Sequence, residues 1–228
     1  MDLFKWFRKG KPQSRPVKAF SDRTFLVFGP DQLAVARTLG GLGRNAFISP
    51  TSNNWTGVWD REEEDGISLS RRRGELECKI SGLLKCPVLA VGVDAVDGFS
   101  YQLFQNGVRY HAYHSAPSDI EDNVGPPVGG NSSELCRVFG CLGVVEQVEA
   151  VLHEPSSTPW NPNTLDEELQ RSRKLADLLG FPRFITDVTY DLIKQSSVHD
   201  DRMERIAFVG VGSAFPAFLA ESAAGEEA

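Results

Sequence analysis

The fold is decided by one stretch of the sequence, VLAVGVDAVDGFSYQLFQNGVRYHAYH, which covers residues 88–114 of the 228. Its Asn106-Gly107 pair lies between two runs that are rich in aromatic and β-branched residues. Asn and Gly readily take the positive φ angles of a two-residue type I′ turn, so this pattern predicts a β-hairpin. The almost continuous apolar run at 88–93 is typical of a strand that is covered on both faces.

The position of the hairpin turn also indicates which side chains of the two strands lie on the same face of the hairpin. It pairs Gln105 with Val108, and simple alternation then places Leu103 opposite Tyr110 on the core face. The opposite face would be a mixed polar and aromatic candidate binding surface, made of Gln102, Phe104, Arg109, His111 and Tyr113. Aromatic side chains and Arg are favoured at the centres of protein interfaces, so we expect a recognition surface there. The alternative is that a helix from the C-terminal half covers this face.

Composition limits the class of protein. With 41% hydrophobic residues, the chain is typical of one large globular domain or two small ones. A net charge of −7 argues against general nucleic-acid binding, because phosphate contacts need clustered Lys and Arg. The four cysteines are too few and too irregularly spaced for a disulfide scaffold, so we expect reduced thiols. The sequence has no N-terminal apolar run of secretory length and no apolar run long enough to span a bilayer, so we expect a soluble cytoplasmic protein.

Residues 1–22 are predicted to be a basic, aromatic N-terminal segment and a tether that is separate from the domain. A short helix there could place aromatic rings in a lipid interface while cations meet anionic headgroups, which predicts weak peripheral membrane contact. The contact residues would be Phe4, Trp6, Phe7 and Lys9. The alternative is a frayed terminus, since two helical turns are marginal in water.

Residues 23–216 are predicted to form a single α+β domain, with a possible sub-division near 116–131, and 217–228 an acidic disordered tail. The domain would hold a mixed, mainly antiparallel sheet built on hairpins, with helices packed on one side. A second hairpin is expected around residues 49–54, a helical C-terminal half after 131, and a final strand in RIAFVGVG.

Several residues mark the helix boundaries. Asp31 is a predicted N-cap, and Asn131 with Glu134 resembles a capping box, as does Thr164 with Glu167. Leucines and Ile80 recur at helical intervals over residues 67–84, with Leu76, Leu83 and Leu84 on the predicted apolar face. Gly74 and Gly82 each weaken that helix by about 1 kcal/mol relative to Ala, so packing against a sheet must stabilise it.

The residues with chemical potential do not form a familiar catalytic or metal-binding pattern. His111 and His114 are three apart on a predicted strand, so they should point to opposite faces and not share a zinc ion. Cys136 and Cys141 are five apart, which is not the spacing of a zinc knuckle, and we expect no metal or cofactor. A Cys136 nucleophile near a helix N-terminus, with a His base, is the catalytic alternative.

These observations favour a non-catalytic cytoplasmic module that binds an unknown protein partner. The alternative is a small-molecule-binding protein or enzyme, with its site between the 99–114 hairpin and the 115–131 loop. Such a site would use Arg109, His111 and Cys136. A pocket that brought His111 and Cys136 within hydrogen-bonding reach would favour this alternative.

Overall fold

The computed structural model describes residues 22–61, 74–94, 98–115, 127–154, 162–187, 190–195 and 207–210. Strands in these residues form one eight-stranded sheet with the order β7-β6-β5-β4-β1-β3-β2-β8. The strands are β1 Asp22–Phe28, β2 Ala46–Ile48, β3 Trp55–Asp60, β4 Val88–Asp94, β5 Gly98–Gln105, β6 Val108–His114, β7 Val128–Gly129 and β8 Ala207–Val209. Every neighbouring pair is antiparallel.

The helices lie mostly in the second half of the chain, as predicted, and the α+β class is confirmed. They are α1 Gln32–Gly41, α2 Glu75–Leu84, α3 Ser132–Phe139, α4 Val145–His153, α5 Pro162–Leu179, α6 Phe184–Asp187 and α7 Tyr190–Gln195, with a 3-10 turn at Leu142–Val144. Both predicted hairpins are present, since β2 pairs with β3 and β5 pairs with β6. The predicted final strand, β8, pairs with β2.

Helices cover both faces of the sheet, so the expectation of helices on one side is wrong. Phe25 and Val27 of β1 pack with α1 and α2 in what we call the N-terminal core. Leu26, between them, packs with α3 to α7 in the C-terminal core. Strands β1 and β4 are apolar at successive positions, and because successive side chains point to opposite faces, both faces must be buried.

Local capping residues set two of the helix starts as the sequence predicts. The Ala34 amide donates to Asp31 Oδ1 at 2.8 Å at the start of α1. The Glu134 amide donates to Asn131 Oδ1 at 3.0 Å at the start of α3. The third predicted cap is wrong, because α5 begins at Pro162 and already contains Thr164. Pro is well suited to the first turn of a helix, where its missing N–H has no intrahelical partner.

Two glycines allow α2 to approach the hairpin closely. Gly74 precedes α2 with a φ of 94°, and a Cβ there would lie 2.8 Å from the Phe104 ring. A Cβ on Gly82 would lie 3.2 Å from the Cα of Gly107 in the hairpin turn. Packing therefore stabilises a helix that contains weak helix formers, as expected. The predicted apolar face is wrong at Leu83, which is largely exposed, and residues 62–73 lie outside the described residues.

A buried ion pair joins α5 to the sheet and to α4. Arg171 Nε donates to Glu168 Oε2 at 3.1 Å, and both side chains are almost fully buried. Arg171 Nη1 also donates to the Val151 carbonyl at 2.6 Å. The Phe99 amide of β5 donates to Glu168 Oε2 at 3.2 Å. Three elements therefore meet at one buried pair of opposite charges.

We expect Arg171→Met to lower the free energy of unfolding by about 3–5 kcal/mol, because it removes the opposite charge beside the buried Glu168 carboxylate. Arg183→Met is the matched control, since Arg183 pairs with Asp177 on the surface and should contribute far less. Urea denaturation of both variants measures the difference. Equal losses in the two variants would show that burial of the pair is unimportant.

Gly57 of β3 provides a second test of the packing. A Cβ at this position would lie 2.6 Å from Ile185 Cγ2, so we expect Gly57→Ala to destabilise the fold by about 1–3 kcal/mol through overpacking. Gly41→Ala, at the end of α1 where a Cβ meets no atom within 4 Å, should not destabilise it.

The Gly57→Ala effect should shrink in an Ile185→Ala background, because contacting residues give non-additive changes in stability. A double-mutant cycle based on denaturation measures this coupling. Additive losses would contradict the contact between β3 and α6.

Candidate functional site

A β-bulge in β6 changes the predicted hairpin register. Phe104 pairs with Arg109 as predicted, but Leu103 pairs with His111 instead of Tyr110. Tyr110 is therefore the extra residue of β6. A bulge of this kind puts two residues of one strand opposite one residue of its partner, so every later side chain changes face.

The bulge divides the predicted candidate binding surface between the two faces of the sheet. Tyr113 pairs with Tyr101 and packs in the C-terminal core, and His111 lies on that same face. Phe104 belongs to the N-terminal core, and Gln102 and Arg109 lie on the same face of the sheet as Phe104. The expectation that these side chains share one exposed face is therefore wrong.

Burial removes the two largest members of that surface from solvent. Phe104 is 1% exposed and lies beneath α2, so the covering helix comes from the N-terminal half and not from the C-terminal half. Tyr113 is 3% exposed, and its hydroxyl donates to the Leu152 carbonyl at 2.5 Å. Burial raises the pKa of the Tyr113 phenol to about 12, so it remains a neutral hydrogen-bond donor.

His111 is half-buried and contacts Tyr101, which lies next to it on the same face. The Tyr101 hydroxyl and His111 Nδ1 are 3.2 Å apart, and the two rings stack with centroids 5.8 Å apart. Burial lowers the pKa of His111, and the nearby Glu134 carboxylate opposes this only in part. Burial also raises the pKa of the Tyr101 phenol. The pair is therefore a neutral hydrogen bond at pH 7.

The Cys/His arrangement of the catalytic alternative is not formed in the described residues. The His111 imidazole contacts the Tyr101 hydroxyl, and the Cys141 thiol adds to the effect of burial in raising the pKa of Cys136. Cys136 is also in the second half of α3, away from the N-terminus that was expected to activate it. Burial raises its pKa to about 12, which opposes a reactive thiolate.

The exposed part of the hairpin is the outer edge of β6. Among the described residues, β7 is the strand that borders this edge, and it pairs with Tyr113 and His114 alone. The Gly130 amide donates to the Ala112 carbonyl at 3.0 Å, which extends this cover by one residue. We call residues 108–111 of β6, which lie beyond this cover, the open edge.

Apolar side chains are exposed along the open edge. Val108 is 60% exposed and Tyr110 is 45% exposed. Sequence reasoning placed Tyr110 on the core face, and it missed the edge because the bulge turns this residue outward. Exposed apolar residues that lie together are a feature of protein interaction sites.

Tyr110 is held in place by two charged side chains of α3. Its hydroxyl donates to Glu134 Oε2 at 2.8 Å, and Arg137 Nη2 donates to the Tyr110 oxygen at 3.2 Å. Arg137 also donates to Glu134 Oε2 at 2.7 Å. The hydrogen bond from Arg137 makes the largest contribution to lowering the pKa of Glu134, and the hydrogen bond from Tyr110 makes the next largest. The edge therefore carries an aromatic side chain with a fixed orientation.

Other kinds of site find no support among the described residues. They contain no cluster of three or more His, Cys, Asp or Glu side chains that could hold a metal ion. His111 pairs with Leu103 and His114 with Ser100, which puts the two imidazoles on opposite faces, as predicted. The helices of this part of the chain lack the length and apolarity needed to cross a membrane. Phe4, Trp6, Phe7 and Lys9 lie outside the described residues, so membrane contact stays a prediction.

Comparisons with known protein families, with curated proteins and with solved structures found no match to this chain. Its function must therefore be argued from its own residues.

The buried position of His111 predicts a pH dependence of stability. Because the folded state lowers the pKa of His111 below its ordinary value of 6.5, the unfolded chain binds this proton more readily. Stability then rises with pH wherever the unfolded state holds more protons, and it is lost as the pH falls below 6.5.

We expect His111→Gln, which keeps an acceptor for Tyr101, to reduce the loss of stability between about pH 7.5 and pH 5.5. His153→Gln, at an exposed position of α4, is the control and should leave the loss unchanged. Urea denaturation at the two pH values measures both. A pH dependence that is the same in wild type and His111→Gln would refute this role.

Proposed function

We propose that this chain is a non-catalytic, cytoplasmic interaction module that binds an extended segment of a protein partner along the open edge. The observation that supports the proposal is the short reach of β7, which pairs with β6 at Tyr113 and His114. A strand edge presents backbone N–H and C=O groups that a partner strand can pair with. Strand addition to such an edge is a recurrent mode of peptide recognition, in which main-chain hydrogen bonds supply affinity.

The side chains at the edge define the kind of partner. A strand added to the open edge would lie beside Val108 and Tyr110. We expect a segment that carries apolar or β-branched residues at alternate positions, because these pack well against exposed apolar neighbours. Because Glu134 and Arg137 orient the Tyr110 ring, less conformational entropy would be lost on binding.

Two features of the edge favour the opposite interpretation. Natural proteins protect edge strands from pairing with bulges and with charged side chains, and β6 has both a bulge at Tyr110 and the exposed Arg109. A protected edge would bind no strand. The two interpretations therefore predict opposite outcomes in a binding experiment.

The alternative function, a small-molecule site that uses Arg109, His111 and Cys136, loses its main support. Arg109 lies on the face of α2, whereas His111 lies on the face of the C-terminal core. Nothing in the described residues brings the three side chains together, so the interaction module is the better proposal.

The test is a selection of extended peptides from a random display library against the full chain, followed by hydrogen–deuterium exchange. We expect selected peptides to slow exchange of those amides of the open edge that point away from β5, because added main-chain hydrogen bonds protect them. Protection confined to other residues, or a selection that yields no binders, would contradict the proposal.

A matched pair of variants locates the binding. Val108→Lys should weaken the selected peptides by roughly tenfold or more, because it puts a charge at the centre of the contact. Leu142→Lys replaces a side chain of similar exposure on the 3-10 turn, and it should leave the affinity unchanged. Equal affinities for both variants would place binding away from the open edge.

A further inference from the structure

The end of α3 brings together two residues that are five apart in the sequence. Gly140 takes a left-handed conformation with a φ of 71° and ends the helix. The Cys136 carbonyl accepts from the Gly140 amide and also from the Cys141 amide, at 2.9 Å. In helix ends of this type, the residue after the glycine folds back onto the residue five before it.

The same arrangement ends α5, where the two equivalent residues are apolar. Gly180 has a φ of 78°, and the Phe181 amide donates to the Ala176 carbonyl at 3.1 Å. Ala176 and Phe181 are both buried in the C-terminal core. In α3 the two equivalent positions are Cys136 and Cys141, so this helix end places two thiols where α5 places a methyl group and a ring.

The two thiols differ in their access to solvent. Cys136 is fully buried, Cys141 is half-buried, and each lies in or against the C-terminal core. The nearby Cys141 thiol adds to the effect of burial in raising the pKa of Cys136. Disulfides join residues whose Cα atoms are about 4.4–6.8 Å apart, a separation typical of residues that a backbone hydrogen bond connects. The geometry therefore fits a disulfide without a large movement of the backbone.

We propose that Cys136 and Cys141 form a reversible intramolecular disulfide by exchange with a small disulfide such as glutathione disulfide. The Cys141 thiolate attacks one sulfur of glutathione disulfide and releases one glutathione thiolate, which takes up a proton. Cys136 then loses its proton and attacks the Cys141 sulfur of the mixed disulfide, releasing the second glutathione. Two protein thiols are oxidised, and one glutathione disulfide is reduced to two thiols. This inference does not rest on the proposed function.

The order of attack follows from burial. Cys141 is the more accessible thiol, so it meets the oxidant first. Burial raises the pKa of Cys136 to about 12, so this residue is a poor first nucleophile. Its proximity to Cys141 lets it resolve the mixed disulfide, because the second step is intramolecular.

The sequence offers a direct assay, because Arg137 lies between the two cysteines. Trypsin cuts after Arg109, Arg137 and Arg171, and it therefore places Cys136 in residues 110–137 and Cys141 in residues 138–171. The full chain is treated with excess glutathione disulfide, free thiols are alkylated, and the digest is analysed by mass spectrometry. We expect these two peptides to be joined, and dithiothreitol to separate them.

Variants and an unfolded reference complete the test. Cys141→Ser should abolish the joined peptides, whereas Cys78→Ser, at another half-buried cysteine, should leave them unchanged. The chain is then equilibrated in mixtures of oxidised and reduced glutathione. The ratio of oxidised to reduced glutathione at which the disulfide forms should be at least about tenfold lower for the folded chain than for the urea-unfolded chain.

Three results would overturn the proposal. They are a stable mixed disulfide on Cys141 with no joined peptides, joined peptides that contain Cys78 or Cys86 in place of this pair, and equal oxidation of the folded and unfolded chains.

Discussion

One extra residue in β6 determines how the hairpin contributes to the structure. Because Tyr110 is accommodated as a bulge, His111 and Tyr113 face the C-terminal core, while Phe104 and Arg109 keep the pairing set by the turn. Without the bulge, Tyr113 would leave the core and Tyr110 would enter it, because a shift of one residue exchanges the faces of a strand. The hydrogen bond from Tyr113 to the Leu152 carbonyl and the contacts of Tyr110 with α3 both depend on this register.

The bulge is consistent with the two-sided burial of the sheet. Helices α1 and α2 cover one face of the sheet, and α3 to α7 cover the other. The register of the hairpin therefore determines in which of the two cores each of its side chains packs. On the first face, Gly74 and Gly82 let α2 approach the hairpin closely. On the second, the Glu168–Arg171 pair connects α5 to the backbones of β5 and α4. The outer edge of β6 is the part of the hairpin that these contacts leave exposed.

The sequence predicts the parts of this fold that depend on local chemistry. Asn106-Gly107 specifies the hairpin turn, Asp31 and Asn131 specify helix starts, and the apolar run at 88–93 specifies a strand covered on both faces. These features depend on neighbours in the chain, so propensity and spacing are enough to find them.

Features that depend on distant residues were not predictable in the same way. Alternation alone gives no sign that Tyr110 is skipped, since the bulge is stabilised by the packing of Tyr113 against helices that begin after residue 131. The burial of Glu168 likewise depends on Phe99, which is 69 positions away. The spacing of Cys136 and Cys141 excludes a zinc knuckle but does not indicate their proximity, which the helix end at Gly140 produces.

The burial of the hairpin side chains depends on the register of β6, and cross-strand nuclear Overhauser effects between β5 and β6 measure that register. The structure predicts contacts of Leu103 with His111 and of Tyr101 with Tyr113. Contacts of Leu103 with Tyr110 and of Tyr101 with Ala112 would contradict it. They would mean that the hairpin has no bulge and that Gln102, Phe104, Arg109, His111 and Tyr113 share one face.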